Sequence, residues 1–169
     1  RMYVRMRDYL RNELGVKALL TDENWGTQPA PMQAVRASLF DYVDAHHYVD
    51  HPEFPEGGWH LPSTLYNENI LGQDGCSMEI SWRRVTNKPF AVSEWNFCGP
   101  ARHRSMSGLY MGTLAALQDW NVLWRFAYSH WFTAYDDNFG SVGYFDAVND
   151  PTALMAERLF VPLFLRGDL

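Results

Sequence analysis

Apolar residues recur at Tyr3, Met6, Leu10 and Leu14, with Arg5, Arg7, Asp8 and Arg11 between them. That three-to-four spacing predicts an amphipathic helix, and Gly15 closes it. The short apolar run Val16 to Leu20 then reads as a buried strand, followed by the polar turn Thr21, Asp22, Glu23, Asn24. The alternation repeats. Met32 to Phe40 has helical spacing, Tyr42 to Tyr48 reads as a strand, and a long Gly- and Pro-rich stretch runs from Asp50 to Gly75. Met78 to Val85 predicts a short helix and Phe90 to Glu94 a strand. Ser105 to Trp120 predicts a helix with Leu109, Gly112, Leu117 and small residues facing inward, and Val122 to Tyr128 a fourth strand. Asp150 and Pro151 form an N-cap and first-turn pair for a last helix that Pro162 should end or kink.

Strands alternating with helices predict an α/β fold with a parallel sheet. No Gly-rich phosphate loop follows any of the strands, which disfavours a doubly wound nucleotide-binding sheet. A closed (β/α)8 barrel takes about 250 residues, so 169 residues in one domain, spanning 1–169, are expected to hold about half of a TIM barrel. The opening on a helix with no preceding strand is in keeping with a fragment.

Composition narrows the function classes. A net charge of -6 with scattered Lys and Arg disfavours nucleic acid as a partner. No apolar run reaches the roughly 18 residues of a membrane span, and no membrane partner is expected. Cys76 and Cys98 have neither metal-type spacing nor the density of a disulfide framework. Aromatic residues make up 15% of the chain. Trp25, Trp59, Trp95 and Trp131 stand beside polar residues, Gly or Pro, where flat amphipathic rings suit a sugar-binding cleft as well as a capped core.

Three strand ends concentrate polar groups. Asp44, His46 and Tyr48 alternate and share one face of their strand, with Ala45, His47 and Val49 on the other. In the next strand Val92 and Glu94 are expected to share a face, with Glu94 where the apolar run gives way to Trp95, Asn96 and Gly99. Barrel enzymes place catalytic residues at the C-terminal ends of their strands.

The run Lys88, Pro89, Phe90, Ala91, Val92, Ser93, Glu94, Trp95, Asn96 resembles the seventh strand of the clan of retaining glycoside hydrolases that includes cellulases, β-mannanases and β-galactosidases. Asp44, Ala45, His46, His47, Tyr48 resembles its sixth strand, Gly15 to Trp25 its fifth, and Asn121 to Trp131 its eighth. The resemblance implies strands five to eight of the barrel, with Glu94 as catalytic nucleophile and with His46 and Tyr48 in the site. Tyr48 would donate a hydrogen bond to Glu94, and His46 would bind a sugar hydroxyl. Asn24, Trp25, Trp95, Asn96, Tyr128, His130 and Trp131 would line the cleft. The clan's general acid/base is a Glu after an Asn on the fourth strand, which this chain does not carry. The implied activity is hydrolysis of β-glycosidic bonds without metal or cofactor, by a chain inactive alone. Its expected partners are carbohydrate and either a missing N-terminal half-barrel or a second copy. A non-catalytic carbohydrate-binding barrel would use the same aromatic residues. A zinc hydrolase built from His46, His47, Asp50 and His51 is a further rival, weakened because His46 and His47 point to opposite strand faces.

Overall fold

The computed structural model describes residues 1–22, 30–72, 76–130 and 143–169. Helix α1 (Met2–Asp8) continues through a wide π turn, Tyr9–Glu13, and stops at Gly15, whose φ of 64° a side chain would disfavour. There follow α2 (Ala30–Leu39), β1 (Val43–Val49), α3 (Cys76–Ser81), β2 (Phe90–Phe97), α4 (Ser107–Leu117), β3 (Val122–Arg125) and α5 (Pro151–Phe160). The strands form one parallel sheet in the order β1-β2-β3. The fold is α/β with parallel strand-helix units, as the alternation predicts.

One face of the sheet is dry. Val43, Ala45 and Val49 of β1, Phe90, Val92, Trp95 and Phe97 of β2, and Leu123 of β3 bury themselves against Ile80 of α3, Met111 and Ala115 of α4, and Phe160 of α5. Removing this apolar area from water supplies the main driving force for the layers to form. Asp150 caps α5 by accepting from the Thr152 amide, with Pro151 at the first helical position.

Several elements depart from the predicted pattern. Val16 to Leu20 is not a strand. The Arg11 guanidinium takes the carbonyls of Val16 and Ala18 at 2.7 and 2.8 Å, and the Asp41 carboxylate takes the Leu20 amide at 2.8 Å. Side chains thus occupy groups that a ladder would need. In α4, Gly112 and the small residues Gly108 and Ala115 face inward as expected, whereas Leu109 and Leu117 are exposed and Met111 is buried in their place. A preceding 3-10 turn, Arg102–Met106, brings in a different face, and α5 crosses too close for larger residues. A Cβ on Gly108 would lie 1.8 Å from the Ala156 carbonyl oxygen. The strand predicted to reach Tyr128 ends at Arg125, because Ala127 turns to bond with Phe145 and Ala147. Pro162 does not stop the last helix, which widens into a π segment, Val161–Leu165.

The departure that matters most for the site is in β2. Its pairing with β1 runs in step from Val43↔Phe90 to Ala45↔Val92, then resumes at His46↔Glu94. Ser93 is the extra residue of a β-bulge. Val92 and Glu94 therefore point to opposite faces, contrary to simple alternation. Ser93 and Glu94, adjacent in sequence, both lie on the face of Asp44, His46 and Tyr48.

Candidate active site

The bulge is built around a buried carboxylate. Asp44 accepts the Ser93 hydroxyl at 2.6 Å, the Ser93 amide at 3.0 Å and the Ala45 amide at 2.8 Å. The amide released by the irregular pairing thus finds a partner, as a buried backbone donor must. Behind it, Arg36 of α2 donates to the Asp44 carbonyl at 2.5 Å and forms a fully buried ion pair with Asp22 at 2.9 Å. The strand start is held from its helix side, and Asp44 holds the bulge from the other.

Glu94 stands on this platform with its side chain about one-third exposed. Tyr48 donates its hydroxyl to Oε2 at 2.8 Å, and His46 Nδ1 lies 3.2 Å from the same oxygen. The other ring nitrogen of His46 lies 3.3 Å from Ser93 Oγ. Asp44, Ser93, His46, Glu94 and Tyr48 therefore form one polar chain across two strands. Among the described residues Oε1 of Glu94 accepts no hydrogen bond. Burial, and then the bond to Glu94 and its charge, raise the Tyr48 phenol above its ordinary pKa of 10.0. It remains a donor throughout the neutral range. The Tyr48 ring is wedged against Phe145 at 5.1 Å and Phe126 at 6.4 Å.

The remaining expected residues fall in three groups. Asn24, Trp25 and Trp131 lie outside the described residues. Trp95 and Asn96 are both buried and stand outside any cleft wall. Trp95 is fully buried on the helix side of the sheet, against Phe160 and beneath the Arg125 guanidinium at 4.1 Å, because the bulge sends it opposite to Glu94. Asn96 is buried as a joint: its amide donates to the Phe126 and Phe145 carbonyls at 2.6 and 2.8 Å, and its oxygen accepts from Arg125 at 2.6 Å. Tyr128 is exposed. His130 is held by its amide and ring to Asp146, edge-on to Phe126, and so sits one ring away from Tyr48. His46 faces Glu94 and Ser93 and is placed to orient the carboxylate more directly than to bind a hydroxyl.

Asp50, His51 and His47 do not make the rival metal site. His47 projects to the helix side of β1, while His51 Nδ1 contacts the Pro52 carbonyl at 2.9 Å. Asp50 instead orders the following loop, accepting the amides of Tyr66 at 3.2 Å and Asn67 at 2.7 Å. Among the described residues no three His, Cys, Asp or Glu side chains converge as a metal set, and no helix is long and apolar enough to cross a membrane. Cys98 is a free, buried thiol, and burial pushes its pKa up to about 12.

Sequence reasoning missed Ser93 and gave Asp44 no role. A short polar residue next to Glu94, and an Asp inside an otherwise apolar strand, are the signals that could have found them. It also missed Trp124, which alternates with Leu123 and Arg125 and so projects to the Glu94 face, 64% exposed. At the β1 edge of the sheet a cavity of about 490 Å³ is lined by His46, His47 and Tyr48, by Asp50 and Tyr66 of the following loop, and by Arg83, among others. Compared with protein-family models, with curated proteins and with solved structures, the chain finds no match.

Proposed function

We propose that this chain is the C-terminal half of a retaining β-glycoside hydrolase, with β1, β2 and β3 as strands six, seven and eight of a (β/α)8 barrel and Glu94 as nucleophile. The observation that carries the reading is the pair of contacts on one oxygen of Glu94, from Tyr48 and His46, on the open face of a parallel sheet. The Tyr48 hydroxyl donates to Oε2 and His46 sits against the same oxygen, which fixes the rotation of the carboxylate and leaves Oε1 to attack.

In the proposed reaction Oε1 bonds to the anomeric carbon as the bond to the leaving oxygen breaks. That oxygen takes a proton from a second carboxylic acid about 5 to 5.5 Å from Glu94. Water, deprotonated by the same group, then displaces Glu94 and completes hydrolysis with retained configuration. The second acid belongs to the fourth strand in the resembled clan, so the active enzyme includes a complementary half. No metal or cofactor enters this scheme.

The test is Glu94→Gln in the enzyme co-expressed with its upstream half, assayed on aryl β-glycosides and β-linked polysaccharides. Turnover is expected to fall by at least about three orders of magnitude while circular dichroism is unchanged. Near-normal turnover by the folded variant removes Glu94 from the mechanism.

A further inference from the structure

The loop between β1 and α3 carries an indole that the sheet-end chemistry above does not use. Trp59 is 59% exposed and is propped from beneath and beside by three rings: Phe54 at 4.9 Å, His51 at 5.6 Å and Tyr144 at 6.1 Å. The support is itself tied down. Tyr144 shares a 2.6 Å hydrogen bond with Ser63, and Glu53 and Thr64 exchange two backbone bonds of 2.9 Å across the loop. An exposed Trp held this firmly presents a flat apolar face in a fixed orientation, at little further entropic cost to whatever stacks on it.

The platform is continuous with the proposed active site. From Trp59 the rings run through His51, then Phe145 at 5.5 Å, then Tyr48 at 5.1 Å, whose hydroxyl binds Glu94. A ligand lying along this wall from Glu94 to Trp59 would pass three successive ring contacts. Gly57 and Gly58 precede the indole; among the described residues nothing lies within 4 Å of where a Cβ on Gly57 would be, while one on Gly58 would meet the His60 ring at 3.1 Å. The loop also has a one-sided charge. Residues 50 to 72 contain Asp50, Glu53, Glu56 and Glu68 and no Lys or Arg. Carboxylates accept hydrogen bonds from hydroxyl groups but repel an anionic ligand.

We infer that Trp59 is a remote subsite for a neutral, β-linked oligosaccharide whose scissile end lies at Glu94, so that the substrate is a chain of several sugars and not an acidic glycan. The inference rests on the glycosidase reading of Glu94 but can fail separately from it. The purified full chain and its Trp59→Ala, Trp59→Phe and Glu94→Gln variants are titrated calorimetrically. The probes are β-linked gluco-, manno-, galacto- and xylo-oligosaccharides of two and six units, and a β-1,4-mannuronate hexamer. At least one neutral hexamer should bind about tenfold or more tightly than its dimer. Trp59→Ala should remove that advantage and Trp59→Phe should restore most of it, while the acidic hexamer binds no more tightly than the dimers. A hexamer advantage that survives Trp59→Ala, binding of the acidic hexamer equal to that of the neutral ones, or no binding of any probe overturns the subsite. Near-normal hydrolysis by the assembled Glu94→Gln enzyme would instead overturn the nucleophile, whatever Trp59 does.

Discussion

His46 and His47 are neighbours in the chain and opposites in environment. His46 faces the open side of the sheet beside Glu94. His47 is 4% exposed on the helix side, and burial lowers its pKa from 6.5 to about 4, with Arg83 acting in the same direction and Glu79 against it. The unfolded chain therefore takes up this proton before the folded chain does. The contribution is complete above pH 6.5 and is lost as pH falls toward about 4, to a total on the order of 3 kcal/mol. Thermal midpoints of the wild-type chain and His47→Gln, measured at pH 7.5 and 4.5, should show a larger acid-side drop for the wild type. Parallel pH dependence in the two proteins would mean that His47 is not held neutral by its site.

At the scale of elements, the β-bulge decides the chemistry of β2. Without the extra residue at Ser93, Glu94 would follow Val92 into the helix-facing core, where an ionised carboxylate is costly. With it, Glu94 meets His46 and Tyr48. Asp44 is what makes the bulge affordable, since it accepts both the hydroxyl and the amide of Ser93. Asp44→Ala should destabilise the chain by about 2–4 kcal/mol by leaving two amides without their charged acceptor, and the milder Ser93→Ala by about 1 kcal/mol. Denaturant titration of both variants checks the order; equal stability of Asp44→Ala and wild type would show that the carboxylate is not the clamp.

For the whole molecule, the three-stranded sheet has β1 and β3 as its edges, and its Glu94 face carries the exposed ring of Trp124. In a closed barrel neighbouring strands and packed side chains would cover such a face. Uncovered edges and apolar rings favour association. Sedimentation analysis at tens of micromolar should therefore find the isolated chain as oligomers, and co-expression with an upstream half should replace these by a one-to-one complex. A well-behaved monomer of the isolated chain would count against the half-barrel proposal.

The chain's local pattern determined its helices, its parallel α/β class and the face shared by Asp44, His46 and Tyr48, because periodicities of 3.6 and 2 follow directly from backbone geometry. The cap at Asp150 and the stop at Gly15 were equally legible, since each depends on one residue and its immediate neighbours. What the tertiary structure decided involves partners distant in sequence. Arg11 and Asp41 took the polar groups of Val16 to Leu20 and kept that run out of the sheet. The close crossing of α5 chose Gly108 and Met111, not Leu109, as the inner face of α4. A carboxylate 49 residues before Ser93 stabilised the bulge that turned Glu94 to the open face and sent Trp95 into the core. Alternation along one strand cannot register an inserted residue, because the residue that stabilises the insertion lies on another strand.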